Sequence, residues 1–164
     1  MGVDMHFFLE TKRDGVFWDL EAEFFIQGTP FMRSLVSPHG IRGLPTAGIS
    51  TPGFPPEVSR KVVGKWGTWE REKAGYPSNW GHVEPFKDKL VGKVYPHMGV
   101  FGEGWMTTDE FESVLALYET KYLPELIKYE DDENISIYYS ILGYMTNLER
   151  SDGVECRAVF FFDN

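Results

Sequence analysis

The chain is poor in cysteine, in basic residues and in long apolar segments. Its single cysteine, Cys156, excludes an internal disulfide and is typical of a reducing compartment. The 16 basic residues stand against 25 acidic ones, a formal charge of −9. This balance argues against a protein that coats nucleic acid, since such proteins need a basic face to displace counterions from phosphates. No apolar run approaches the roughly 20 residues that cross a bilayer, and the N-terminal segment lacks the pattern of a secretory signal. We therefore expect a soluble, cytoplasmic protein without a membrane partner.

Apolar and aromatic residues, in contrast, are plentiful. The 164 residues are 42% hydrophobic and 16% aromatic, which is enough to build the core of one domain. We predict a single α+β domain over residues 1–164. Its sheet is expected to be small and mainly antiparallel, and to pack against C-terminal helices.

Both ends of the chain have the composition of strands. Residues 3–10 are rich in β-formers, and Asp14-Gly15 predicts a hairpin turn that returns through residues 16–20. The last residues, CRAVFFFDN, form a second β-rich run, and we predict that the two terminal strands pair at the centre of the sheet. Residues 21–36 are ambiguous, and a short helix beginning near Pro30 is one interpretation of their phenylalanines.

Helix signals are clearest in the C-terminal half. Thr107 and Glu110 have the spacing of a capping box, and an apolar stripe at helical spacing follows them. A second stripe runs from Ile135 to Leu148, and Asp152-Gly153 is expected to end it. A further helix is predicted to begin at Pro56-Glu57.

The middle of the chain divides into a loop and an insert. Residues 37–57 are rich in proline and glycine, and loops of this length are often functional. Within them Arg42 could bind a phosphate or carboxylate, or pair with an acidic side chain. Residues 58–93 hold eight basic and four acidic residues, a local charge of +4, and we read them as an irregular, basic and aromatic insert. Its tryptophans could stack a nucleotide base or fill the edge of the core, and the candidates are Trp66, Trp69 and Trp80.

Asp4, His6 and Asp163 are the candidate catalytic residues. Because strand side chains alternate between faces, Asp4 and His6 share one side of their strand, about 7 Å apart. Pairing of the terminal strands would bring Asp163 beside them. Asp4 and His6 could hold a divalent metal together, or the carboxylate of Asp4 could orient the imidazole of His6. The alternative is structural, with a carboxylate at a strand end and a half-exposed histidine.

The two ends of the chain resemble a known family. The opening Met1-Gly2-Val3-Asp4-Met5-His6 and the closing Phe162-Asp163-Asn164 are similar to the M-G-x-D-x-H start and F-D-N end of small proteins of tailed phages and prophages. Gly43-Leu44-Pro45 and residues 105–110 also resemble that family. Members often carry a His-Ser pair where this chain has Phe101-Gly102-Glu103-Gly104. The resemblance implies a phage accessory protein and assigns no reaction.

Three functions follow from these observations. The first is a phage-type accessory or host-takeover protein that binds a host or phage protein, acting in counter-defence or inhibiting a host nucleic-acid-processing protein. The second is an enzyme, a metal-assisted hydrolase or nucleotide-processing protein that uses Asp4, His6 and Asp163. The third is a sponge that binds a nucleotide-like ligand without turnover. Charge segregation without a recognisable catalytic motif favours the first.

Overall fold

The computed structural model describes residues 3–15, 17–28, 49–69, 82–83, 92–124 and 135–163. Within these ranges the elements, in chain order, are β1 (Asp4–Lys12), β2 (Asp19–Ile26), β3 (Thr51–Pro52), α1 (Arg60–Trp66), β4 (Gly67–Trp69), β5 (His82–Val83), β6 (Gly92–Pro96), β7 (Phe101–Thr107), α2 (Thr108–Leu117), α3 (Ser136–Asn147) and β8 (Glu155–Asp163). Single π-helical turns, Tyr118–Tyr122 and Leu148–Asp152, extend α2 and α3. The fold is therefore α+β, as the sequence predicts.

The main sheet has five strands in the order β2-β1-β8-β7-β3, and every pair is antiparallel. The N- and C-terminal strands β1 and β8 pair over their full length, from Asp4 opposite Asp163 to Lys12 opposite Glu155. The predicted pairing of the terminal strands is thus confirmed. A second, three-stranded sheet has the order β4-β6-β5.

Helices α2 and α3 cover one face of the main sheet. Alternation along β1 and β8 sends Met5, Phe7, Phe160 and Phe162 to that face, where each is at most 1% exposed. The helices contribute their own apolar stripes, which include Phe111, Val114, Tyr138, Ile141 and Met145. Burial of this many large side chains stabilises the domain by the hydrophobic effect.

The short helix α1 covers the opposite face. Its Val62 and Val63 and the preceding Val58 pack against Phe8 and Phe161. Ser59 caps the helix by accepting a hydrogen bond from the backbone N–H of Val62. The helix therefore begins at Arg60, after its capping residue Ser59, and not at the predicted Pro56-Glu57.

Two other regions differ from the sequence-based expectation. The hairpin returns in β2 at residues 19–26, so Phe24 and Phe25 lie in a strand rather than in a helix. Residues 58–93, expected to be an irregular insert, contain α1, β4, β5 and the start of β6 among the described residues. These strands are short, and glycine and proline within them hide the alternation on which strand prediction depends. Among the described residues, no helix has the length and apolar character needed to cross a membrane.

Candidate functional sites at the two ends of the terminal strands

The predicted residues Asp4, His6 and Asp163 lie together at one end of the β1–β8 pair. The Nε2 atom of His6 is 2.9 Å from Oδ2 of Asp163, and the two side chains are 21% and 33% exposed. Strand pairing sets this contact, since Asp163 is opposite Asp4, two residues from His6 on the same face. The carboxylate of Asp163 therefore orients the imidazole, a role that the sequence suggested for Asp4.

Aromatic rings hold His6 on both sides. Its ring stacks on Phe161 with centroids 4.6 Å apart, and Phe25 lies at 5.0 Å in a tilted arrangement. Phe25 is 52% exposed, so this part of the sheet presents an apolar ring to the surface. The contacts restrict the imidazole to one orientation.

Asp4 has a different role from the other two. Its Oδ1 accepts a hydrogen bond from the backbone N–H of Gly28 at 3.0 Å, so the carboxylate holds the chain that follows β2. The described residues contain no group of three or more His, Cys, Asp or Glu side chains placed to hold a metal ion. The structure thus brings His6 and Asp163 into contact, and uses Asp4 to bind backbone.

Of the ligand-binding candidates in the middle of the chain, Trp66 alone has a described side chain. Trp66 is 7% exposed and belongs to the core under α1. Its indole N–H donates to Oε1 of Glu103 at 2.6 Å, so the polar atom of this buried side chain has a hydrogen-bond partner. Arg42, Trp80 and the side chain of Trp69 lie outside the described residues.

A second candidate site lies at the opposite end of the same two strands, and sequence reasoning missed it. A cavity of about 610 Å³ opens there, lined among others by Lys12, Trp18, Glu57, Trp105, Glu155 and Arg157. Cavities of this size suit small ligands or the side chains of a partner. Its lining comes from β1, β7, β8, the turn that follows α3 and the segments that precede β2 and α1, so no local sequence pattern predicts it.

The wall of this cavity contains a buried ion pair. Nε of Arg157 donates to Oε1 of Glu10 at 2.8 Å, and the two side chains are 5% and 0% exposed. The pair also holds the segment before α1, because Nη1 of Arg157 donates to the carbonyl of Pro56 and the N–H of Ser59 donates to Oε2 of Glu10. Burial lowers the pKa of Arg157, and the Glu10 carboxylate opposes that shift.

One donor of this pair takes part in the ion pair without an aligned hydrogen bond to any described residue. Nη2 of Arg157 lies 2.8 Å from Oε1 of Glu10, but its N–H groups are not aligned with an acceptor among the described residues. The guanidinium carbon stands 4.0 Å from the centroid of the Trp18 ring, and Nζ of Lys12 is 5.6 Å from it. Trp18 therefore already makes cation–π contacts with two side chains of the protein.

Acidic groups determine the electrostatics at this end of the sheet. The cavity is lined by Glu57, Glu149 and Glu155 against Lys12 and Arg157, and Glu10 offsets Arg157 from behind. Two basic and four acidic groups leave a charge of −2. Burial, and then the neighbouring carboxylates of Glu149 and Glu21, raise the pKa of Cys156, in the same wall, to about 12. The thiol therefore stays protonated and is no nucleophile.

Comparison of the chain with protein-family models, with curated proteins and with solved structures finds no match. The geometry of these two sites is therefore the basis for inferring the function of the protein.

Proposed function

We propose that this protein is a phage-type accessory protein that acts in the cytoplasm of its host by binding a basic protein partner. A host protein that processes nucleic acid fits this role, because its basic groove would accept an acidic surface in place of nucleic acid. The observation that carries the proposal is the acidic cavity beside the Glu10–Arg157 pair, which combines a concave shape with an excess of carboxylates.

The distribution of charge along the chain supports the same function. Residues 94–164 contain four basic and fourteen acidic residues, a charge of −10. Glu149 and Glu155, which line the cavity, belong to this segment. Like-signed charge of this density speeds association with a basic partner and repels anions, so binding is expected to weaken as salt rises.

Affinity capture tests this proposal. The tagged protein is incubated with lysate of the bacterial host at low and at high salt, and the retained proteins are identified by mass spectrometry. We expect retention at low salt of a basic nucleic-acid-processing protein, whose activity on its substrate falls when the purified accessory protein is added. Failure to retain any basic protein, or retention without effect on activity, would contradict the proposal.

A hydrolase or nucleotide-processing enzyme using His6 and Asp163 is the second candidate. The contact between the two side chains favours it, since an imidazole oriented by a carboxylate can act as a general base. In a metal-assisted reaction Asp4 would have to bind the metal through Oδ2, because its Oδ1 accepts from the N–H of Gly28. Thermal unfolding with and without Mg²⁺, Mn²⁺ or Zn²⁺ distinguishes the two functions, because a bound metal raises the unfolding temperature. A rise that Asp163→Asn abolishes would favour the enzyme.

A further inference from the structure

The proposed binding function leaves open which chemical group enters the cavity. The two indoles of Trp18 and Trp105 provide π surfaces, and the carboxylates of Glu57 and Glu155 are exposed at its border. In the described part of the chain neither carboxylate has a hydrogen bond or a close ion pair, and Glu57 is near enough to Arg157 to oppose the burial that lowers the pKa of its guanidinium. Aromatic rings together with free carboxylates are the groups that bind organic cations in proteins.

The charge of the lining separates cationic from anionic ligands. The groups around the cavity have a net charge of −2. The phosphates of a nucleotide would be repelled by three glutamates, and Lys12 is the lining cation that is not neutralised by Glu10. A guanidinium or ammonium group would instead be attracted by these glutamates. The guanidinium of Arg157 lies 4.0 Å from the centroid of Trp18, so a ligand cation would stack on the opposite side of that ring or on Trp105.

We infer that the cavity binds a basic peptide segment of the partner, with an arginine or lysine side chain between the indoles and the carboxylates of Glu57 and Glu155. The inference rests on the proposed function, because it identifies the group through which a basic partner is recognised. Arginine fits better than lysine, since its planar guanidinium stacks on indole and donates to carboxylates in two directions.

Peptide titration of the full-length protein tests the inference. The probe is acetyl-tetraarginine amide, and the comparison ligands are acetyl-tetraglutamate amide and AMP. Binding is followed by calorimetry and by the indole N–H signals in a ¹H–¹⁵N correlation spectrum, where those of Trp18 and Trp105 should shift. We expect the tetraarginine peptide to bind more tightly than AMP, and the tetraglutamate peptide not to bind.

A matched pair of variants locates the site. Glu155→Gln and Glu112→Gln remove the same charge, but Glu155 borders the cavity and Glu112 is exposed on α2. Glu155→Gln should weaken peptide binding about two- to fivefold, as expected for one partly exposed charge pair, and Glu112→Gln should leave it nearly unchanged. Trp18→Leu should weaken it by about tenfold through the lost cation–π contact. Dispersed indole signals in each variant verify that it is folded.

The outcomes separate the inference from the function on which it rests. Equal loss in both glutamate variants, unmoved signals of Trp18 and Trp105, or tighter binding of AMP would overturn the inference. If a basic host protein is captured while the cavity variants bind it normally, the proposed function stands and the cavity is not its site. If neither the peptide nor a basic protein binds, both fail.

Discussion

Glu10 and Arg157 lie directly opposite each other in β1 and β8 and form an ion pair that is almost fully buried. The pairing that puts Asp4 opposite Asp163 also sets this contact, since six residues forward along β1 correspond to six residues back along β8. The same two strands thus produce a charged contact at each end: the half-exposed His6–Asp163 pair and the buried Glu10–Arg157 pair. The apolar rings of Phe8 and Phe161 lie between them.

Removal of Arg157 is expected to destabilise the protein strongly. Arg157→Met leaves the carboxylate of Glu10 buried with the N–H of Ser59 as its remaining partner, and a buried charge without its counterion costs about 3–5 kcal/mol. The double variant Glu10→Leu/Arg157→Met removes both charges, so its cost should be well below the sum of the two single variants. Urea unfolding of all four proteins measures this coupling, and additive costs would show that the pair does not act as a unit.

Much of this arrangement follows from alternation and pairing in the sequence. The apolar runs at the two ends predict strands, and their composition predicts a central position, which the sheet order β2-β1-β8-β7-β3 confirms. The predicted proximity of His6 and Asp163 follows from the same pairing. An arginine within the apolar run of β8 and a glutamate near the end of β1 were the available signal for the buried pair.

The cavity was not predictable in this way. Trp18, Glu57, Trp105 and Arg157 are distant in sequence, and their meeting depends on the path of the chain before α1 and on the register of β7 against β8. That register shifts between Phe101 and Gly104, and no hydrophobic pattern in the sequence predicts the shift. Composition pointed instead to the basic, tryptophan-rich insert, where Trp66 belongs to the core.

Gly104 is required in β7 because Phe160 lies over it. A Cβ at this position would stand 2.5 Å from Cζ of Phe160, so the ring or the strand would have to move. Gly104→Ala should therefore destabilise the protein by about 1–3 kcal/mol, the usual cost of overpacking a core. The measurement is the urea midpoint at unchanged slope.

Gly143 provides the matched control for that substitution. It lies in α3, and a Cβ there meets no atom within 4 Å. Gly143→Ala should stabilise the protein by about 0.5–1 kcal/mol, since alanine loses less backbone freedom in a helix. A loss of stability in Gly143→Ala, or no loss in Gly104→Ala, would contradict the packing described here.

The capping box at the start of α2 should be measurable in the same way. The hydroxyl of Thr107 accepts from the N–H of Glu110, and the carboxylate of Glu110 accepts from the N–H of Thr107. Thr107→Ala should cost about 1 kcal/mol in thermal or urea unfolding. Ser113→Ala is the control, because the exposed hydroxyl of Ser113 bonds to a helix carbonyl, and its loss should change stability by less than about 0.5 kcal/mol. Equal effects would show that the cap contributes nothing.

Cys156 links the acidic end of the sheet to a pH dependence of stability. Burial, then the carboxylates of Glu149 and Glu21, raise the pKa of its thiol from 9.0 to about 12. The folded state therefore keeps the proton while the unfolded state releases it, so this contribution to stability is fully present below pH 9 and is lost as the pH rises toward 12. Because Cys156 is the single cysteine, thiol titration reports on it without interference.

Two measurements check this behaviour of Cys156. At pH 8 the folded protein should react with a disulfide reagent about two to three orders of magnitude more slowly than the protein in urea, since the thiolate is the reactive form. The free energy of unfolding of the native sequence should fall more steeply above pH 9 than that of Cys156→Ala, which has no thiol to titrate. Rapid reaction of the folded protein, or the same alkaline slope in both proteins, would show that the thiol is not held protonated by its surroundings.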